Sequence, residues 1–270
     1  MIWFLGICVL VVLLWAALTR CRRNHKDWAV LRQFRYAHRG LHDKPQVPEN
    51  SMAAFRRAVE QGFGAELDIH LMADGNLAVI HDSSLKRTAG ADVCIEDLTK
   101  ADLERFTLEE SSEKIPLLQE VLALFEGKSP LIIELKAERG NQAALSAAAA
   151  AVLDNYKGDY CIESFDPRVV SWFRKHRPAV CRGQLAENFL RNRGYKLSLP
   201  LRFVLACLLT NVAACPDFVA YGFSDRKSLG LQLCRFFWRP QMVYWTLRSK
   251  DELEQAEKER GLCIFECFTP

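Results

Sequence analysis

The chain has 270 residues, half of them hydrophobic and about a quarter charged, with a formal net charge of +3. That length and mix exclude a disordered chain and leave room for one large α/β domain behind a short N-terminal segment. A charge this small gives no electrostatic footprint for nucleic acid, and no nucleic-acid partner is expected.

Ile2 to Thr19 is an uncharged apolar run of 18 residues, followed at once by Arg20, Arg22, Arg23 and Lys26. As a helix it would span roughly 27 Å, near the hydrocarbon thickness of a bilayer. The basic flank on its C-terminal side predicts a retained anchor. Residues 1–23 are therefore expected to form an N-terminal transmembrane helix with its basic flank, in a single-pass membrane protein whose following domain is cytoplasmic. A cleaved signal peptide fits worse, because the run has no basic start and no clear A-x-A site.

The remaining chain, residues 30–270, alternates strands with helices. Phe34 to Gly40 reads as a strand ending in a glycine turn. Asn50 or Ser51 can cap a helix whose apolar stripe is Phe55, Ala58 and Val59. Gly64 to Leu71 alternates, with Glu66, Asp68 and His70 on one face. Asp74-Gly75 is a hairpin-type turn, and Leu77 to His81 is a strand. A polar excursion over 83–114 follows, then a helix opened by Pro116 and a strand from Leu131 to Lys136. Gln142 to Tyr156 is an Ala-rich helix. Tyr160 to Phe165, Val180 to Leu185, Phe218 to Phe223, Met242 to Leu247 and Cys263 to Cys267 are further strand candidates. Helices are expected near Val169 to Lys175 and Asp251 to Arg260. Such alternation argues for a parallel sheet. The count of about nine strands is one more than a closed (β/α)8 barrel needs, and the surplus is expected among the later candidates.

Ten cysteines are scattered along the chain. None forms a C-x-x-C pair with a matching partner, so neither a zinc site nor a disulfide framework is expected, and loose thiols favour a reducing compartment.

The reactive residues fall at predicted strand ends. Glu66 and Asp68 are two apart on one strand, so both carboxylates point to one side, and Glu134 can join them from another strand. Three carboxylates without thiolates or clustered imidazoles make a hard site, suited to Mg2+ or Ca2+. Lys136 can pair with Glu134 or hold a phosphate oxygen. His38 and His81 titrate near neutrality in water and suit an acid/base pair, with acid and base not assigned individually. Arg39 is a bidentate phosphate ligand, and Gly40 lets backbone approach closely. His42, His70 and His176 read as packed residues.

In these strings the sequence resembles the glycerophosphodiester phosphodiesterase family. The matching stretches are Ala37-His38-Arg39-Gly40, Pro48-Glu49-Asn50-Ser51, Glu66-Leu67-Asp68-Ile69, Asp74-Gly75, His81-Asp82 with Leu85 and Arg87-Thr88, and Ile133-Glu134-Leu135-Lys136. The likeness is strong over 34–137, weaker through Ser164-Phe165-Asp166 and Tyr244-Trp245-Thr246, and nearly lost between 188 and 240. The resemblance implies a TIM barrel of the phospholipase C-like phosphodiesterase type. It also implies a divalent metal, and hydrolysis of a glycerophosphodiester to an alcohol and glycerol 3-phosphate. Carried over by residue, Glu66, Asp68 and Glu134 match the metal ligands, His38 and His81 the acid/base pair, and Arg39 and Lys136 the phosphate contacts. Glu49 matches a site carboxylate, while Phe165 and Trp245 would line the substrate pocket. The family's final Thr-Asp-x-Pro is replaced here by Phe265-Glu266-Cys267-Phe268-Thr269-Pro270, which leaves the last strand's contribution open.

Residues 188–216 are expected as an insertion. It mixes Arg191, Arg193, Lys196 and Arg202 with Leu201, Phe203, Val204, Leu205, Leu208 and Leu209. One reading is an extra helix packed on the barrel. The other is an interfacial helix on the bilayer, extended by Phe236, Phe237 and Trp238, with a membrane lipid or lysophospholipid as substrate. The alternatives to glycerophosphodiester hydrolysis are a lysophospholipase D-like or phosphoinositide-cleaving enzyme on the same barrel, and a non-catalytic binding module.

Overall fold

The computed structural model describes residues 2–192, 194 and 197–270. Among them nine strands form one sheet. They are β1 (Tyr36–Ala37), β2 (Gly64–Leu71), β3 (Leu77–Val79), β4 (Leu131–Leu135), β5 (Tyr160–Ser164), β6 (Arg182–Ala186), β7 (Phe218–Gly222), β8 (Gln241–Leu247) and β9 (Leu262–Phe265). Eight of them run parallel in the order β1-β2-β4-β5-β6-β7-β8-β9, and β9 pairs back onto β1, so the sheet closes as the expected (β/α)8 barrel.

The surplus strand is an early one, not a late one. β1 is only two residues long and pairs with Gly64 and Ala65, which leaves the far end of β2 unpaired on that side. The turn at Asp74-Gly75 sends β3 back antiparallel, setting Val79 opposite Ile69. The vacant edge is thereby filled without adding a strand to the barrel. The excursion that follows has its own small core, built on Ile80, Leu85, Ile95, Leu98 and Leu103.

Side chains sort by strand parity. Tyr36, Ile132, Phe218, Ala220, Val243 and Ile264 fill the barrel interior. Trp28 and Leu31 join them at the N-terminal ends of the strands, with Trp28 edge-on to Phe218 at 5.4 Å between ring centroids. Residues of opposite parity, such as Leu67, Ile133, Ile162 and Val219, pack outward against Phe55, Phe125 and Phe173 of the surrounding helices. With both faces covered, a polar group pointing into the barrel needs a partner.

The N-terminal segment corrects the membrane expectation. The apolar run folds as a helix over Ile2–Leu18, 17 residues long. Among the described residues no helix is long and apolar enough to cross a membrane. The predicted transmembrane helix, the single-pass localisation and the cytoplasmic orientation derived from it are therefore overturned. The reason lies in the last turn, which belongs to the globular fold. The Trp238 indole N–H donates to Ala16 O at 2.7 Å, and Trp15 lies edge-on to Phe203. Thr19 and Cys21 are buried. The basic flank is likewise engaged: Arg22 pairs with buried Asp217, and Arg23 caps the carbonyls of Phe237 and Trp238. The segment expected as an insertion holds two short helices, Leu199–Ala206 and Asn211–Ala214. Arg193 and Lys196, named above, lie outside the described residues. All ten cysteines are free.

Candidate active site

The residues singled out above meet at the C-terminal mouth of the barrel. Parallel register sets Asp68 of β2 beside Glu134 of β4, with Glu66 one inward position below Asp68. One oxygen from each carboxylate lies within 4.8 Å of the others, and all three side chains are buried. Lys136, just past β4, has its ammonium 3.1 Å from Asp68 Oδ1 and 2.8 Å from Glu134 Oε2.

The strand β1 ends in a turn that aims two groups. His38 continues the inward parity of Tyr36, and its N–H is held by Phe265 O of β9 at 2.9 Å. Arg39 then takes a φ of +54° and Gly40 one of +77°. A Cβ on Gly40 would sit 2.9 Å from Ala54 Cβ and 3.0 Å from the Ala54 carbonyl carbon, so only glycine fits. The turn points the Arg39 backbone N–H at Glu66 Oε2 (3.1 Å) and its guanidinium at Glu49 (2.9 Å) and Asp68 (3.5 Å).

Asn50 and Ser51 divide the work that the sequence left shared. Ser51 caps the helix Met52–Glu60, accepting from Ala54 N at 3.1 Å. Asn50 instead donates its side-chain amide to Asp68 Oδ2 at 2.9 Å. Glu49 sits among three cations, Arg39, Lys44 and Arg87.

His81 does not end a barrel strand. It follows β3, and the backbone bond from Ile80 N to Asp68 O at 3.0 Å ties it to the mouth. Its Nδ1 lies 2.6 Å from Asp82 Oδ1; Arg87 bridges Asp82 and Glu49. His70 is packed as expected, between Glu96 and the His81 carbonyl. Phe165 and Trp245 face each other edge-on at 5.7 Å, and the Lys136 ammonium is 6.0 Å from the Phe165 ring.

Two residues were given no site role in the sequence reading. Glu266, directly after β9, lies 3.5 Å from His38 Nδ1 and 3.3 Å from His42 Nε2, and accepts from Arg248 at 3.1 Å. Glu163 of β5 is in register with Glu134 and fully buried inside the barrel. Glu266 stands at a strand end like the other site groups, which is a signal the sequence did carry. Glu163 shares inward parity with Phe165, but no motif marks it.

The electrostatics are those of an acidic cluster short of positive charge. Burial, reinforced by the charges of Asp68 and Glu134, pushes Glu66 well above the usual carboxylate range. Burial lifts Glu134 to about 7 despite Lys136. Burial opposes ionisation of Asp68 too, yet Lys136 and Arg39 hold it well below its ordinary value. Glu163 is raised by burial and by Glu134. Burial lowers His38, and lowers His81 to about 4 against the pull of Asp68, so both imidazoles are neutral at pH 7. The imidazoles of His38 and His42, 3.5 and 3.3 Å away, keep Glu266 well below the usual range. An all-oxygen donor set whose members cannot all ionise unaided fits a hard divalent cation.

The relatives include glycerophosphodiester phosphodiesterases of Bacillus altitudinis and Caldanaerobacter subterraneus. Each is 42% identical over 108 residues, which is 37% of this chain and 43% and 44% of theirs. A lysophospholipase D of Rattus norvegicus is 32% identical over 125 residues, 42% of this chain and 38% of its own. The chain thus spans less than half the length of these relatives. Among solved structures, an Oleispira antarctica phosphodiesterase in complex with the product sn-glycerol-3-phosphate superposes with a TM-score of 0.69 at 20% identity. It covers 86% of this chain and 92% of that one, and shows a shared fold. A Thermotoga maritima glycerophosphodiester phosphodiesterase gives 0.66 at 25% identity, over 86% and 94%. The model of the glycerophosphoryl diester phosphodiesterase family matches residues 38–213, from His38 past the acidic trio and into the expected insertion. A match over more than half of the chain makes this protein a member of that family.

Proposed function

We propose that the protein is a metal-dependent phosphodiesterase that hydrolyses a glycerophosphodiester to an alcohol and glycerol 3-phosphate. The observation that carries this reading is the convergence of Glu66, Asp68 and Glu134 within 4.8 Å beside Lys136 and Arg39. Those three carboxylates would hold Mg2+ or Ca2+, which when bound neutralises phosphate oxygens and lowers the cost of charge on phosphorus.

The chain's own groups do the rest. Arg39 and Lys136 orient the diester, their positive charges already placed against Asp68. One of His38 and His81 enters neutral and takes the nucleophile's proton on Nε2, and the other must enter as the imidazolium to give its Nε2 proton to the leaving alkoxide. Asp82 on Nδ1 of His81 and Glu266 beside Nδ1 of His38 favour the tautomer that leaves Nε2 for the substrate. Glu49, held ionised by Arg87, Arg39 and Lys44 against the cost of burial, is placed to accept from a glycerol hydroxyl. Phe165 and Trp245 wall the pocket and exclude water.

The test is release of glycerol 3-phosphate from glycerophosphocholine by the purified full chain, with Mg2+ or Ca2+ and after chelation. Turnover that chelation abolishes and either ion restores is expected. No turnover with any divalent cation would overturn the reading.

A further inference from the structure

The N-terminal face of the barrel, opposite the acidic mouth, holds a second cavity of contrary charge. It measures about 570 Å³ and is lined by Arg32, Arg235, Arg239 and Arg260. Among the described residues that line it, Glu259 is the only carboxylate. Glu259 is already engaged: it accepts from Arg235 at 2.9 Å, from Arg226 at 3.3 Å and from the Tyr244 hydroxyl at 2.7 Å. Arg32, Arg239 and Arg260 form no ion pair among the described residues. Three guanidiniums therefore share one cavity with their charge uncompensated.

The cavity is organised by Gln241, the first residue of β8. Its Oε1 accepts from Arg32 Nε at 2.7 Å, and its Nε2 donates to Arg260 O at 3.3 Å. The Arg32 guanidinium also lies 5.9 Å from the centre of the Trp28 ring, so it is oriented before any ligand arrives. The other two arginines occupy an unusual backbone. Arg239 directly follows the helix Leu229–Trp238 with φ +44°, and Arg260 lies just past the helix Lys250–Lys258 with φ +58°. Glycine takes this left-handed conformation freely and is the common choice after a helix, whereas a longer side chain is strained there. Offsetting the helix dipoles does not explain the choice, because an arginine elsewhere in the last turn does that without a positive φ. Two helix ends thus carry arginine where the backbone favours glycine, and both line the same cavity.

We propose that this cavity is a binding site for a small soluble anion carrying two phosphoryl groups, separate from the active site and independent of its chemistry. Each planar guanidinium presents paired N–H donors that match phosphoryl oxygens. Three such cations exceed the roughly two negative charges of a single phosphate group near neutral pH, so a second phosphoryl group is needed to match them.

The test titrates sodium pyrophosphate into the full chain, stripped of metal by chelation and dialysed, at fixed ionic strength, with calorimetric detection. Without metal the mouth stays acidic and repels anions, so it does not compete. One pyrophosphate per chain is expected, with inorganic phosphate at least about tenfold weaker. Arg239→Gly and Arg260→Gly should each weaken pyrophosphate binding by about tenfold or more. Their thermal midpoints without anion should stay level or rise, because glycine relieves the left-handed strain. No saturable binding, equal affinity for phosphate and pyrophosphate, or affinity unchanged in both variants would overturn the site. A lowered midpoint in both variants would assign the arginines to the fold and overturn it as well.

Discussion

Glu66 and Glu134 are paired with too little positive charge to ionise cheaply, whereas Asp68, with Lys136 at 3.1 Å, is charged throughout the physiological range. A divalent cation must therefore displace protons from Glu66 and Glu134. With Glu134 raised to about 7, the protonated form dominates below that pH and competes with the ion, so metal affinity falls as pH falls through 7. Calorimetry in buffers of different ionisation enthalpy should detect proton release on binding, greater at pH 6.5 than at pH 8.5; binding without proton exchange would contradict the charge assignment. At the same scale, His38→Ala and His81→Ala should each lower kcat by about 10²-fold or more while the fold is retained by circular dichroism. Near-normal kcat in either variant would remove that imidazole from proton transfer. Glu66-x-Asp68 and Glu134-x-Lys136 were legible because strand parity puts each pair on one side, and His38-Arg39-Gly40 because a glycine turn closes the strand that carries it. Asn50, Asp82 and Arg87 lie in the quoted motif strings, but their contacts with Asp68, His81 and Glu49 follow from no spacing rule.

Elements were easiest to read where hydrophobic alternation is long. β2 appears as expected over Gly64–Leu71, and β4 over Leu131–Leu135, one residue short of the expected Leu131 to Lys136. β1 shrinks from the expected Phe34–Gly40 to two residues, because the chain must leave the ladder at once to form the left-handed turn at Arg39 and Gly40. β3 has the pattern of a barrel strand but the turn of a hairpin, and the turn decided its place. The helix Leu229–Trp238 went unassigned, its terminal aromatics being read as a surface face, yet Leu231 and Cys234 pack it on the outer core. Inside the barrel, β6 and β7 are fitted to each other: a Cβ on Gly183 would lie 2.1 Å from the Phe218 ring. Gly183→Ala should cost about 1–3 kcal/mol in chemical denaturation. Combining it with Phe218→Leu should cost less than the sum of the two single changes. Strict additivity would show that the ring does not occupy that space.

At the scale of the molecule, the N-terminal run shows what a hydropathy pattern leaves undetermined. Eighteen uncharged residues before a basic cluster read as a span, but that pattern does not say whether the end of the helix meets lipid or protein. Trp238, Phe203 and Asp217, all far along the chain, are what receive it. The docking makes a stability prediction: Arg22→Ala strips a charged partner from fully buried Asp217 and should lower stability by about 1–3 kcal/mol, read as a reduced denaturation midpoint. An unchanged midpoint would mean that the segment adds nothing to the domain. The whole fold brings one acidic trio to one mouth, and its capacity to hold a single ion is the claim on which the proposed chemistry rests. Titration of Mg2+ or Ca2+ into the chelated full chain, followed by calorimetry, tests it directly. One ion per chain is predicted for the native protein, with binding lost in Asp68→Asn and Glu134→Gln. An absence of binding, or binding unchanged in both variants, would contradict it.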